Sequence, residues 1–304
     1  MTTERLFLGI NQSATGQKWV DRLGLREANT ALAIAQHHGI DDLVARVLAG
    51  RGVSVEGAPE FIDPTLRNLM PDPVTLTDME KAAERIADAV TARETVAIFG
   101  DYDVDGACSS ALLARFLQHY DVPHSIYIPD RIFEGYGPNP DAMRELAGKG
   151  ATLIVTVDCG TNSAPSIAAA REAGADVVVL DHHQVGGSLP EDAVAVVNPN
   201  REDDISLQGH LCAAGVVFLT LVQVAKILRG RGKGAGPDLL SLLDLVALAT
   251  VCDVVPLKGV NRAFVVKGIL VARAQGNVGL AALARVARIG EPLGPFHFSF
   301  LIGP

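Results

Sequence analysis

The sequence predicts an α/β fold: a doubly wound, mostly parallel sheet with a helical N-terminal extension and C-terminal helices. Three observations predict it. Short Val/Ile-rich runs alternate with helical segments through the middle of the chain. Those runs are apolar from end to end, as in strands covered on both faces. After Asn200 the strand-like runs stop and long apolar helical patterns replace them.

Residues 1–75 read as a helical extension. The stretch NTALAIAQHHGIDDLVARVLAGRGV gives two short helices punctuated by His38-Gly39 and Gly50. FIDPTLRNLMPDPVTLTD carries Pro64, Pro71 and Pro73, which break helices and place a boundary there. DMEKAAERIADAV is an amphipathic helix with Asp78 as the expected cap. Five strands follow: TVAIF (95–99), HSIYIP (124–129), TLIVTVD (152–158), DVVVLD (176–181) and AVAVVNP (193–199). Helical segments ACSSALLARFLQHY, PDAMRELAGKG and SAPSIAAAREAG lie between them. Together these form a catalytic domain expected over 76–258. LCAAGVVFLTLVQVAKILRG and PDLLSLLDLVALATVCDVV read as long apolar helices, and 259–304 as linker helices. The link RGRGKGAGP (229–237) lacks a Ser or Thr after Lys233 and a strand before it, so it reads as a solvated connection, not a phosphate loop.

Bulk properties narrow the function. The chain has 304 residues, 48% of them hydrophobic, enough for a large core. Net charge is −9 and the isoelectric point about 5.3, which argues against coating nucleic acid by bulk charge. Mean hydropathy is +0.25, yet no apolar run approaches the roughly 20 residues that span a bilayer. The N-terminus shows no secretory signal pattern. Cys108, Cys159, Cys212 and Cys252 have no CxxC spacing and read as reduced, mostly buried thiols of a cytoplasmic protein.

The chemistry lies where strands end. FGDYDVDG places Asp101, Asp103 and Asp105 at alternate positions after the first strand. In an extended chain three carboxylates would crowd one face, at a cost unless positive charge offsets them. The third strand ends in Asp158 and the fourth in Asp181, His182 and His183. Asp253 ends the helix LVALATVCDVVP. Carboxylate oxygen gathered with imidazole nitrogen suits Mn²⁺, Mg²⁺ or Zn²⁺, and two ions would offset this many acids. Two ions sharing a carboxylate can activate water and neutralise a phosphoryl group.

GDYDVDG, VDCGTNS, LDHHQ and ATVCDVVPL, in this order, resemble the successive motifs of the DHH phosphoesterase superfamily. Within it the chain most resembles the RecJ family of single-strand-specific 5′→3′ DNA exonucleases. GIDDLVARVLAGRGV, FIDPTLRNLMPDP, IPDRIFEGYGPN and LCAAGVVFLT carry that narrower likeness. The resemblance implies a two-metal phosphodiesterase using Mn²⁺ or Mg²⁺ and releasing 5′-mononucleotides in recombination and repair. It implies that Asp103 binds the first metal, Asp105, His182 and Asp253 the second, and that Asp158 bridges them. His183 would assist the leaving group, with Asp101 and Asp181 as supports that orient ligands. Arg131, Tyr136 and Asn139 would line the path of the substrate, single-stranded DNA. A helicase or single-strand-binding protein is an implied partner, and a membrane is not. Phe99 stands where many relatives have a metal-binding histidine, which implies a weaker first site. The chain stops at FHFSFLIGP, where RecJ-like proteins run on into further DNA-binding parts, so the resemblance implies an incomplete cleft. Two other readings stay open: a DHH phosphodiesterase for dinucleotides or cyclic dinucleotides, and a non-catalytic binding module.

Overall fold

A computed structural model describes residues 5–304. The chain divides into two compact units, Met1–Thr65 and Leu66–Pro304. In the smaller unit, α1 (Leu25–His38), α2 (Asp42–Gly50) and α3 (Ala58–Ile62) share a small core. Ala31, Ile34, Ala45, Leu48, Ala49 and Ala58 form it. Asp41 caps α2 by accepting from the Leu43 N–H at 2.9 Å. His37 is exposed, while His38 Nε2 lies 2.6 Å from the Val55 carbonyl oxygen.

The larger unit opens with α4 (Leu66–Leu69) and α5 (Met79–Ala92). Then β1 (Val96–Gly100), α6 (Val104–His119), β2 (His124–Tyr127), α7 (Pro140–Gly148), β3 (Leu153–Val157), α8 (Ala164–Glu172), β4 (Asp176–Leu180) and β5 (Ala195–Val197) follow. All five strands pair in parallel in the order β2-β1-β3-β4-β5. Val96 of β1 aligns with His124 on one side and Leu153 on the other. The winding direction reverses between β1 and β3, which opens a crevice at their carboxyl ends. The doubly wound α/β architecture predicted above is the one found.

Alternate strand residues supply two cores, as the two-residue period of a strand requires. Val96, Ile98, Val155, Val178 and Leu180 face α5, α6 and α9 (Ala213–Gly230). Ala97, Phe99, Ile154, Val177 and Val179 face α7 and α8. Phe99 is fully buried, its ring centroid 5.3 Å from that of Tyr127. Helix α9 is 18 residues long and apolar enough to cross a membrane, but 72% of it is buried, as in a core helix. The chain ends in α10 (Leu243–Cys252), α11 (Gly259–Arg273), α12 (Val278–Val286) and a short turn of helix to Ile302. The 229–237 link is almost wholly exposed between α9 and α10.

Asp78 departs from its expected role. It stands at the N-cap of α5, but its φ of 63° turns the carboxylate away and it makes no cap bond. Instead it binds Lys81 at 2.8 Å and Arg201 at 2.8 Å, tying the start of α5 to the chain after β5. All four cysteines are free thiols, three buried and one half-buried.

Helices α10 and α11 meet closely at Gly268. A Cβ there would lie 2.1 Å from the Leu243 carbonyl oxygen and 2.5 Å from Ala247 Cβ. Both obstacles sit on the helix backbone or next to it. Gly268→Ala is expected to destabilise by about 1–3 kcal/mol, because the clash outweighs the gain in helix propensity of about 1 kcal/mol. Chemical denaturation checks this; unchanged stability would refute the close packing.

Candidate metal centre

The strand β1 ends at Gly100 and α6 begins at Val104, so DYDVDG is a strand-to-helix turn. This corrects the extended reading of that stretch. Asp103 caps α6, its Oδ1 accepting from the Gly106 N–H at 2.9 Å. The turn is tight enough that a Cβ on Gly106 would lie 2.5 Å from the Asp101 carbonyl oxygen. The bend separates the three carboxylates. Asp101 and Asp103 face Asp158, which follows β3, with ligand atoms within 4.8 Å of one another. Asp105 turns toward His182, which follows β4, and Asp253, at the end of α10, within the same limit. Asp158 also groups with His182 and His183.

His182 Nε2 sits among the acids. It lies 3.3 Å from Asp158 Oδ1 and 3.7 Å from both Asp105 Oδ2 and Asp253 Oδ2. Asp105 is anchored from the far side, where Oδ2 accepts from the Ala213 N–H at 2.6 Å and Oδ1 from Ala214 at 2.8 Å. These are the first residues of α9, so the carboxylate faces the positive end of a helix dipole.

Asp158 has φ 62°, a left-handed conformation that costs an L-residue about 1 kcal/mol. Its N–H donates to the Leu180 carbonyl at 3.0 Å, which fixes the turn at the end of β3. Asp158 is 1% exposed and neither carboxylate oxygen has a hydrogen-bond partner. Asp101 Oδ1 and Asp253 Oδ2 are likewise buried without partners. Such atoms are uncommon in native proteins and call for a missing partner.

The titration behaviour follows. Burial, then the charges of Asp105 and Asp103, pushes the Asp158 carboxyl far up. Burial raises Asp105, Asp101 and Asp253 as well, with neighbouring acids adding to it. Burial lowers His182. A cation among these groups would reverse the acid shifts, since it favours the charged form of each.

Asp181 is held differently. Burial raises it, but the His183 bond and charge and the Thr161 bonds outweigh burial and leave it low. Its Oδ1 lies 2.7 Å from His183 Nδ1, and its Oδ2 accepts from the Thr161 N–H at 3.0 Å. His183 is raised in turn, chiefly by its bond to Asp181. Asp181 therefore orients the histidine pair. Asp101 is placed differently: its carboxylate groups with those of Asp103 and Asp158.

The residues read from the loop after β2 divide. The Tyr136 hydroxyl donates to the Asp158 carbonyl oxygen at 3.1 Å and lies 3.1 Å from His183 Nε2, so it belongs to the centre. Arg131 lies 5.0 Å above the Tyr102 ring, and Tyr102 meets Tyr136 edge-on at 6.4 Å. Asn139 is taken up elsewhere: it caps α7 through the Ala142 N–H at 2.9 Å and reaches Glu134 at 3.4 Å. Its amide is thus used in the fold.

Sequence reasoning passed over Asn198 and Asn200. Asn198 Nδ2 donates to the His183 carbonyl at 2.8 Å and to Thr161 Oγ1 at 2.9 Å, and Asn200 Nδ2 to the His182 carbonyl. Their signal was present: NPN directly follows a strand, as DHH does. A cavity of about 510 Å³ adjoins Asp103, Asp105 and Asp253, with Val254 and Phe300 on its apolar wall.

Comparison with known proteins agrees with this geometry. The DHH family, N-terminal domain, matches residues 95–250, just over half of the chain. The chain is 36% identical over 254 residues to the single-stranded-DNA-specific exonuclease RecJ of Bacillus subtilis, covering 83% of this chain and 31% of that protein. It is 35% identical over 270 residues to the Escherichia coli protein of the same name, covering 86% and 46%. The crystal structure of Thermus thermophilus RecJ in complex with Mn²⁺ superposes with a TM-score of 0.74 at 28% identity, covering 93% of this chain and 38% of that one. The chain thus spans less than half the length of these relatives. The five-strand crevice, the acids and histidines on it and the matched span agree: the chain belongs to the DHH family, and its likeness within that family is to RecJ.

Proposed function

We propose that this chain is the metal-dependent phosphodiesterase core of an exonuclease that degrades single-stranded DNA from the 5′ end, releasing 5′-mononucleotides in recombination and repair. The observation that carries the reading is Asp158, whose two buried, unpartnered oxygens lie between the two acid groups. A carboxylate so placed fits a bridge between two cations. Asp103 and Asp101 would hold the first ion and Asp105, His182 and Asp253 the second. The orphaned Oδ1 of Asp101 makes it a direct ligand in this reading, in the place left by Phe99, whose side chain packs into the core. Two divalent ions, Mn²⁺ or Mg²⁺, would supply Lewis acidity that activates water and offsets phosphoryl charge.

The chain's own residues do the rest. The bond to Asp181 raises the His183 pKa and so favours the imidazolium, the form that can give a proton to the leaving oxygen. Tyr136 donates to the Asp158 carbonyl and can accept from His183 Nε2, which holds the ring in place. Arg131, stacked on Tyr102, presents its charge at the exposed edge of this group, where a phosphate would lie. Single-stranded DNA as the partner rests on the likeness to RecJ, whose relatives carry that specificity in their names.

The test is hydrolysis of a 5′-labelled single strand with Mn²⁺, beside a labelled dinucleotide, with Asp253→Ala as the blank. Stepwise mononucleotide release from the long strand is expected. Turnover of the dinucleotide alone would overturn the exonuclease reading in favour of a small-substrate phosphodiesterase. Asp158→Ala is expected to abolish turnover and weaken both ions, and normal activity would sink the two-ion assignment. Asp101→Asn is expected to weaken one ion by about tenfold in a Mn²⁺ titration; an unchanged affinity would return it to a supporting role.

A pH dependence follows from the raised carboxyls. Asp158, Asp105, Asp101 and Asp253 bind protons more tightly folded than unfolded. Their contribution to stability is full below about pH 4 and is lost as pH rises through their folded values. Tm of metal-free protein is therefore expected to fall between about pH 4 and 8 and to recover on adding Mn²⁺. Asp158→Asn should flatten the slope; an unaltered slope would exclude Asp158 as its source.

A further inference from the structure

The geometry points to a main-chain clamp: the N–H groups of Ala213 and Ala214, at the start of α9, orient Asp105, one of the residues proposed to hold the second ion, by backbone atoms alone. The inference rests on the metal-centre reading and adds to it a positioning element whose own side chains offer no ligand atom.

Two contacts converge on this segment. The N–H groups of Ala213 and Ala214 bind one oxygen each of Asp105, at 2.6 and 2.8 Å. Each oxygen keeps a free lone pair, in a direction set by the peptide groups.

The segment itself is rigidly held. Leu211, Cys212, Ala213 and Ala214 are all fully buried. Cys212 Sγ lies 3.5 Å from Thr250 Oγ1 on α10, the helix that ends in Asp253. This contact ties the clamp to the helix that carries Asp253.

Ala213→Pro removes one N–H of the clamp at a position whose backbone accepts proline. Proline is favoured at the first position of a helix. Cys212, at φ −82° and ψ 168°, already has the extended conformation that precedes proline. A second variant, an amide-to-ester replacement at position 213, removes the same N–H without adding a ring. Mn²⁺ is titrated into each purified protein and free ion is read by electron paramagnetic resonance, with circular dichroism as the check on folding. The expected result is a loss of about 10–100-fold in affinity for one ion, with the other unchanged. Equal affinity for both ions in a folded variant would overturn the clamp. A parent that binds no Mn²⁺ would overturn the metal-centre reading, and the clamp with it.

Discussion

The carboxylate of Asp158 is the constraint on which the site depends. It is buried at the switch point of the sheet, lacks any hydrogen-bond partner and is surrounded by other acids. A lone charge there would cost several kcal/mol, so the group is either protonated or facing a cation. The rest of the centre follows from this choice. Asp101, Asp103, Asp105 and Asp253 can gather around Asp158 only under the same condition. Stable packing beneath them, with both sheet faces covered, supplies the rigidity that holds like charges together.

Much of this was legible from the sequence because it is local. Apolar Val/Ile runs gave all five strands, and the acids that follow them gave the crevice. The α/β class and the doubly wound order needed no long-range information beyond the rule that parallel strands require crossovers. The departures have physical causes. Alternate aspartates in DYDVDG suggest a strand, but the Asp103 cap and Gly106 turn the stretch into helix. The position of Asp78 suggests a cap, but a left-handed φ aims its carboxylate at Arg201 instead.

What stayed hidden is long-range and main-chain. Asp105 finds its partners 108 and 109 residues away, at two alanines. No property of an alanine marks its N–H as the one an aspartate will use. Asn198 and Asn200 support the histidine pair through carbonyl groups, which are equally silent in sequence. Side-chain identity marks the candidate ligands, and backbone geometry aims them.

That separation along the chain bears on how the molecule is made. The acids after β1, β3 and β4 are in place as soon as those strands pair, but the second group also needs α9 seated and α10 complete. Both come late in synthesis and close long loops, the slow class of contact in folding. A nascent or partly folded chain thus presents scattered carboxylates without the geometry to discriminate among cations. An ion held by the second group, as proposed above, would then be captured late, coupled to docking of the C-terminal helices. The energy of that capture would go into the last assembly step and not into the early sheet.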